Sequence, residues 1–315
     1  MPSVSPTVAI LDIGSNSIKI LIARRDPATG QLTAEKYKTL DARISTGISK
    51  ANPRLTEDAM TRGLAAIQEL LADAAPFSPA KIILVATSAV RDAANGSDFR
   101  ARVLAATGHP IRILSGDEEA ALIGRGLTCD PALAHLRDFY VFDLGGGSLE
   151  CLAFRDRQIT QAVSLQLGCV RLTERFIADP AQPLSPETIA RIAAHTRDTL
   201  DVSGFRFDLP PTAATIGTGG TVTTARTILG QRAGKELADT DTFVSTAQLR
   251  ELLDFTGQQP LATRREIPGL PPARADVFPT ALITLLALTD LGHFPGLHNS
   301  LYNLRWGLAA DALSP

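Results

Sequence analysis

Two short motifs in this sequence resemble each other and constrain the fold more than any other feature. The first, Asp-Ile-Gly-Ser-Asn-Ser-Ile-Lys, spans residues 12–19, and the second, Asp-Leu-Gly-Gly-Gly-Ser-Leu-Glu, spans residues 143–150. Each follows a short apolar run, which is typical of a β-strand. A strand that ends in Asp and continues through a Gly/Ser turn into a second strand predicts a β-hairpin. Its short side chains let backbone N–H groups approach phosphate oxygens, and its Asp faces a cation or water.

A second pair of segments keeps nearly the same spacing. One apolar strand pattern ends shortly before Ser88, and another ends in the Gly-rich segment at Thr218. Asp12 and Asp143 are 131 positions apart, and Ser88 and Thr218 are 130 positions apart. A single Gly-rich turn is weak evidence, because most such turns only reverse the chain. The conserved register of the two pairs predicts a duplicated domain with a ligand between the copies.

The order of the predicted elements favours an α/β fold. Each half shows three strands in succession, followed by alternating helices and strands, which is typical of layered α/β proteins. We expect a first domain over residues 1–126, joined by a C-terminal helix near 301–315, and a second domain over residues 127–300. The segment 256–272 is rich in Pro, Gly and Arg and is predicted to be an ordered loop over the cleft between the domains.

Composition excludes several classes of protein. With 315 residues and 44% apolar residues, the chain can form two hydrophobic cores. A formal net charge of −2 provides no broad electrostatic basis for binding nucleic acid or a membrane. The three cysteines have no metal-binding spacing, and the sequence contains neither a signal-peptide pattern nor an apolar run long enough for a bilayer. We therefore expect a cytoplasmic protein, with a homodimer left open.

Taken together, these segments resemble the exopolyphosphatase/guanosine pentaphosphate phosphohydrolase (Ppx/GppA) family, within the actin and sugar-kinase superfamily. Besides the two motifs above, the resemblance is carried by Ala86-Thr-Ser-Ala-Val-Arg91, Ser115-Gly-Asp-Glu-Glu-Ala120, Leu167-Gly-Cys-Val-Arg-Leu-Thr-Glu174, Gly217-Thr-Gly-Gly-Thr221 and Arg274-Ala-Asp-Val. It implies two duplicated ribonuclease-H-like domains of the actin-like ATPase type with an interdomain cleft, in the short form without C-terminal helical domains. The resemblance weakens near the end, where the chain has Ser300-Leu-Tyr-Asn-Leu-Arg-Trp-Gly307 in place of Ser-Asp-x-Gly-Leu-Arg-x-Gly.

One acidic segment contains the candidate catalytic base. Hydrolysis of a terminal phosphoanhydride requires a positioned water, charge neutralisation at the phosphoryl group and a bound leaving phosphate. The acidic run over residues 117–119 begins a predicted helix, and on its own such a run is explained by stabilisation of the helix dipole. The resemblance implies instead that Glu119 is the catalytic base. Glu118 is then expected to stabilise the helix end through the dipole or a hydrogen bond.

Three acidic residues are candidate metal ligands, although they could also simply stabilise their turns. If residues 143–150 form a hairpin, Asp143 and Glu150 lie near each other and provide two hard oxygen ligands, which suit Mg²⁺. Asp12 has the equivalent place in the first copy and is predicted to hold a metal-bound water. Because Lys19 stands where the second copy has Glu150, we expect one metal site, on the side of the second domain. Mg²⁺ is the predicted cofactor, with other divalent cations as alternatives.

The candidate phosphate-binding residues have short side chains or lie in Gly-rich turns, and Arg91 adds a guanidinium group suited to phosphate oxygens. They are Ser15, Asn16, Ser17, Ser88, Arg91, Gly145, Gly146, Gly147, Ser148, Thr218 and Gly219. The turn at Thr218, where sugar kinases approach a nucleoside, is equally explained as a tight strand-to-helix connection. Weaker candidates, each more simply explained as solvated or salt-bridged, are Arg43, Arg171, Arg265 and Arg305.

The resemblance implies a hydrolase that removes terminal phosphate from inorganic polyphosphate with Mg²⁺. The nearest alternative is the conversion of guanosine pentaphosphate to the tetraphosphate, because both substrates present a terminal phosphoanhydride. Alternatives of another class are an ATP-dependent kinase and a non-catalytic nucleotide sensor. A kinase needs an acceptor site and an adenosine pocket, for which the altered region 280–307 provides no positive sign.

Overall fold

A computed structural model describes residues 6–314 of the chain. Its β-strands are β1 (Thr7–Ile13), β2 (Ile18–Arg25), β3 (Leu32–Leu40), β4 (Lys81–Ala86), β5 (Ile111–Ile113), β6 (Phe139–Leu144), β7 (Leu149–Arg155), β8 (Gln158–Leu165), β9 (Ala214–Thr218), β10 (Phe243–Ser245) and β11 (Gly296–Asn299). Its α-helices are α1 (Glu57–Ala74), α2 (Ser88–Arg91), α3 (Gly96–Thr107), α4 (Gly116–Leu127), α5 (Cys169–Phe176), α6 (Pro186–Val202), α7 (Gly220–Arg232), α8 (Thr246–Gly257), α9 (Leu261–Arg264), α10 (Phe278–Leu291) and α11 (Leu304–Ala312).

The chain divides into two compact units with matching sheets. The first unit contains the residues up to His135 and those from Tyr302 onward, and the second contains Leu136–Leu301. The division thus falls after His135, whereas the sequence placed the domain boundary after residue 126. The strand order is β3-β2-β1-β4-β5 in the first sheet and β8-β7-β6-β9-β11-β10 in the second. In both, three antiparallel strands are followed by two parallel ones. The second sheet has one more strand, β10, which pairs antiparallel with β11. The shared topology confirms the duplicated α/β fold.

The buried strands and helices follow from the apolar pattern of the sequence. In β1 the continuous run Val8–Leu11 is buried, as expected for a strand covered on both faces. The helix α10, predicted as a core helix, is buried from Phe278 to Thr289. Two glycines, Gly126 and Gly307, let α4 and α11 pack backbone against backbone. A Cβ atom on Gly307 would lie 2.1 Å from the Leu122 carbonyl oxygen, so only glycine fits this contact.

Short elements depart from the sequence-based prediction. The segment 256–272 is not only a loop, because it contains α9 and the end of α8. The strands β10 and β11 had not been predicted. Only three residues of β10 and four of β11 are in strand conformation. Each is stabilised by pairing with a strand distant in sequence, which local propensity does not report.

Candidate functional site

The turn between β1 and β2 presents hydrogen-bond donors without partners. The backbone N–H groups of Ser15, Asn16 and Ser17 have no acceptor among residues 6–314, although these residues are only 3–4% exposed. The buried Asn16 Nδ2 likewise has no hydrogen-bond partner within residues 6–314. Buried polar groups without partners are rare, because each costs free energy. This turn is therefore suited to accept an anion.

Neighbouring strands add further groups to this first turn. The parallel pairing of β1 with β4 brings the end of β4 beside the turn, and Ser15 Oγ lies 3.1 Å from Ser88 Oγ. Asp12, which is half-buried, lies in β1 directly opposite Lys19 in β2. Two hydroxyls and a carboxylate thus accompany the unpaired N–H groups, all from residues that the sequence had singled out.

The predicted base and a predicted phosphate ligand form an ion pair in the first unit. Arg91 Nη1 donates hydrogen bonds of 2.9 Å to Glu119 Oε2 and of 2.9 Å to the Leu114 carbonyl oxygen. Glu119 is buried, at 8% exposed, in the first turn of α4. An Arg–carboxylate hydrogen bond orients both groups. The sequence did not predict this contact, which joins residues 28 positions apart.

The neighbouring Glu118 forms hydrogen bonds at the helix end, one of the two roles expected from the sequence. Its Oε2 accepts the Ser115 backbone N–H, while Ser115 Oγ accepts the Glu118 backbone N–H, so the two form a capping box at the start of α4. Arg112 donates to Glu118 Oε1. The Ser115 N–H and the Arg112 guanidinium hold the pKa of the Glu118 carboxyl below its ordinary value.

The turn between β6 and β7 repeats the first turn with glycines. The backbone N–H groups of Gly146, Gly147 and Ser148, which match those of the first turn position by position, have no acceptor in the described part of the chain. Gly145 N–H donates to the Ser148 carbonyl oxygen over 3.0 Å. The corresponding bond, from Gly14 to Ser17, measures 3.2 Å in the first turn.

The second turn differs from the first in its flanking charges. Asp143 lies directly opposite Glu150 in the β6–β7 register, as the predicted hairpin requires. Directly opposite residues in such a pair have Cβ atoms about 4.5–5.5 Å apart. Asp143 is half-buried, whereas Glu150 is 2% exposed and accepts a hydrogen bond of 2.7 Å from Ser164. The second turn therefore carries two carboxylates where the first has a carboxylate and an ammonium.

A third group of residues surrounds the start of α7. Thr218, at the end of β9, pairs with Asp143, and Gly219 follows with a φ of +84°. A Cβ atom on Gly219 would lie 2.3 Å from Asp143 Oδ1, so the carboxylate rests against this glycine. A Cβ atom on Gly220 would lie 2.0 Å from Arg274 Nη2, so the guanidinium of Arg274 lies against the N-terminal end of α7.

Arg274 is the residue that the sequence reasoning missed. Its guanidinium has no hydrogen bond or ion pair within residues 6–314. The hydroxyl of the adjacent Thr221, which is fully buried, also has no partner there. The sequence signal that could have identified it is the Arg274-Ala-Asp-Val segment. This segment carries part of the family resemblance, but its arginine was assigned no function from the sequence.

The donor set fits a hard divalent cation only in part. Within the described residues 6–314, no cluster of three or more His, Cys, Asp or Glu side chains could hold a metal. Mg²⁺, however, commonly takes one or two carboxylates and completes its coordination with water and substrate phosphate. Asp143, more exposed than Glu150, meets that requirement.

One family model and three solved structures are similar to this chain. The family model of the Ppx/GppA phosphatase family matches residues 21–314. An exopolyphosphatase from Cytophaga hutchinsonii is similar in structure, with 22% identity, a TM-score of 0.85, and 98% of this chain and 97% of that chain covered. An exopolyphosphatase-like protein has 26% identity and a TM-score of 0.86, with 98% of each chain covered. The Ppx/GppA family member of Aquifex aeolicus has 23% identity and a TM-score of 0.77, again with 98% of each covered.

These similarities agree with the fold described above. Both units have an α/β topology in which three antiparallel strands lie beside parallel ones. Across residues 6–314, none of the helices combines the length and apolar character that crossing a membrane requires. Because the family model matches nearly the whole chain, this protein belongs to the Ppx/GppA phosphatase family.

Proposed function

We propose that this protein is a Mg²⁺-dependent exopolyphosphatase, which hydrolyses the terminal phosphoanhydride of inorganic polyphosphate. The observation that carries this proposal is the pair of matched turns, each with three successive unpaired backbone N–H groups. Such groups stabilise phosphate oxygens without reorganisation, which is how enzymes lower the barrier to phosphoryl transfer.

In the proposed reaction, Glu119 accepts a proton from water while the water oxygen attacks the terminal phosphorus. The bond between that phosphorus and the bridging oxygen breaks, and its electron pair goes to the leaving polyphosphate. Arg91 holds the Glu119 carboxylate through its Nη1 atom. We further propose that Arg91 contributes positive charge to the phosphoryl group.

The other groups bind and neutralise the substrate. N–H groups of the two turns, with Ser15, Ser17, Ser88 and Ser148 as hydroxyl donors, would bind phosphate oxygens. The start of α7 at Thr218 and Gly219, with Arg274, would bind a further phosphate, because helix N-termini attract anions. Asp143, with Glu150 and Asp12 as additional oxygen donors, would hold Mg²⁺. When bound, the ion supplies positive charge that polarises the phosphoryl oxygens.

A parallel assay of phosphate release tests this function. Inorganic polyphosphate, guanosine pentaphosphate and ATP are compared with purified protein, with and without Mg²⁺, and the Glu119→Gln protein controls for contaminating phosphatases. Faster release from polyphosphate than from the nucleotides supports the proposal. Preference for guanosine pentaphosphate establishes the pentaphosphate phosphohydrolase alternative. Binding without release from any substrate indicates a sensor, and phosphate transfer from ATP to an acceptor indicates a kinase.

A further inference from the structure

Residues of α5 donate hydrogen bonds to three carbonyl groups of the second turn, those of Gly145, Gly146 and Gly147. The Gly145 carbonyl oxygen accepts the Cys169 N–H at 3.0 Å, and the Gly146 carbonyl oxygen accepts the Val170 and Arg171 N–H groups at 2.9 and 3.2 Å. The Gly147 carbonyl oxygen accepts Arg171 Nε at 2.9 Å.

These bonds set the direction of the unpaired N–H groups. In a planar trans peptide the C=O and the following N–H point in opposite directions. When Arg171 Nε draws the Gly147 carbonyl towards α5, the Ser148 N–H is turned away from α5. The bonds to Gly145 and Gly146 do the same for the N–H groups of Gly146 and Gly147. The backbone at the start of α5 and the Arg171 side chain therefore determine together which way the unpaired N–H groups of the turn point.

The first turn is also held by an arginine, Arg43, whose Nε donates to a side-chain oxygen of the turn rather than to a backbone carbonyl oxygen. The Arg43 N–H donates to the Asn16 carbonyl oxygen at 2.9 Å, and the Ser45 N–H donates to that of Ser15 at 3.3 Å. Arg43 Nε donates to Asn16 Oδ1 at 3.1 Å, which directs the unpaired Asn16 Nδ2 elsewhere. Arg43 has a φ of +38°, uncommon for a residue with a side chain, so the surrounding contacts impose this conformation.

We infer that Arg43 and Arg171 are matched positioning residues, each of which orients the phosphate-binding donors of one turn through its Nε–H and its backbone N–H. This role rests on the proposed function. It differs from both interpretations given in the sequence analysis, a direct phosphate ligand and a solvated or salt-bridged side chain. Arg171 is not solvated, because it is only 8% exposed and its Nε donates to the Gly147 carbonyl oxygen of the turn.

Two substitutions distinguish the contribution of the arginine Nε–H group from that of its positive charge. Gln carries an N–H donor on the same carbon as Arg Nε, so Arg171→Gln keeps the bond to Gly147 and removes the charge. Arg171→Lys keeps the charge but has a methylene where Nε was. A positioning residue should tolerate Gln better than Lys, whereas a direct phosphate ligand should tolerate Lys better than Gln. The same pair of substitutions applies to Arg43.

The experiment measures calorimetric binding of inorganic tripolyphosphate with Mg²⁺ to the full chain, together with kcat and KM for phosphate release. We expect Arg171→Lys to weaken tripolyphosphate binding about tenfold and Arg171→Gln no more than about threefold. Arg226 in the second unit and Arg100 in the first also donate Nε to backbone carbonyls, away from the turns. Their Gln and Lys variants are the matched controls and should bind tripolyphosphate as the unmodified protein does.

Each outcome decides the inference. If the Lys variant binds tripolyphosphate as tightly as the unmodified protein and the Gln variant binds it more weakly, the arginine contacts phosphate directly. If both variants lose the same affinity, the Nε–H group is not the basis of the effect. Either result overturns the positioning role. Thermal unfolding of every variant identifies losses that come from the fold. If no substrate is hydrolysed, the proposed function fails, yet the order of tripolyphosphate affinities still tests the positioning role.

Discussion

The two turns after β1 and β6 have nearly the same backbone and different chemistry. Both leave three successive N–H groups unpaired. Both also accept hydrogen bonds from an arginine side chain and from the backbone N–H groups of a neighbouring segment. In the first turn Asp12 faces Lys19, and in the second Asp143 faces Glu150. The two turns thus share the N–H groups that we propose to bind phosphate oxygens, while their flanking side chains differ in charge.

The starts of α4 and α7 differ in a related way. The start of α4 is satisfied internally, because Ser115 and Glu118 cap it and three acidic residues lie in its first turn. The start of α7 has no side-chain cap and no acidic residue in its first turn, and the Arg274 guanidinium lies against it. Only the second of these helix ends can attract a further anion.

The largest effect is expected at Glu119, which belongs to the first unit. Glu119→Gln should lower kcat about 10²- to 10⁴-fold, because a positioned base is lost. Tripolyphosphate affinity should stay within about threefold, since the amide can still accept the Arg91 hydrogen bond. Steady-state kinetics and calorimetry check the two values. Turnover within threefold of the unmodified protein would falsify the assignment.

The next effect tests the asymmetry of the flanking acids. The loss of Mg²⁺-dependent activity should be more than about tenfold larger for Asp143→Ala than for Asp12→Ala, because only Asp143 is paired with a second carboxylate. Titration of the rate against Mg²⁺ for both variants measures the difference. Equal losses would mean that the two turns contribute equally to the metal, and that the charge difference between them has no role in binding it.

A smaller effect is expected at the start of α7. Arg274→Ala should raise the KM for a phosphate substrate about three- to tenfold with little change in kcat, since it removes a counter-charge for bound phosphate. Added salt should reduce the difference. Arg197, an exposed arginine of α6, is the matched control. The same KM for both alanine variants would show that Arg274 binds no phosphate.

The smallest effect concerns the cap of α4. Because the folded-state pKa of Glu118 lies below its ordinary value of 4.5, its charge stabilises the fold above that pH, and this contribution disappears as the pH falls through the folded-state pKa. Glu118→Gln, which keeps the capping acceptor, should therefore melt slightly lower than the unmodified protein near ~pH 7 and equally near ~pH 2. Thermal unfolding across this range checks it. A difference that does not change with pH would exclude the charge as its cause.

The sequence was informative where a few adjacent residues determine a local structure. Gly and Ser after an apolar strand predicted both turns, and the hairpin register of Asp143 with Glu150 followed from spacing alone. The family was recognised from such motifs, and the family model confirmed it. The capping role of Glu118 was likewise predictable, because a capping box spans only four residues. Short strands such as β10 and β11 were missed because their pairing partners are distant in sequence.

By itself, then, the sequence determined the duplicated α/β fold, the two turns and the acids at their ends, since each depends on neighbouring residues and on strand periodicity. Only the tertiary structure decided which groups these motifs meet. The Arg91–Glu119 ion pair, the arginines behind the two turns and Arg274 beside Gly220 are contacts between separate segments. Such contacts depend on how helices and strands pack, because an arginine side chain has no partner until the folded chain brings an acceptor or an anion to it.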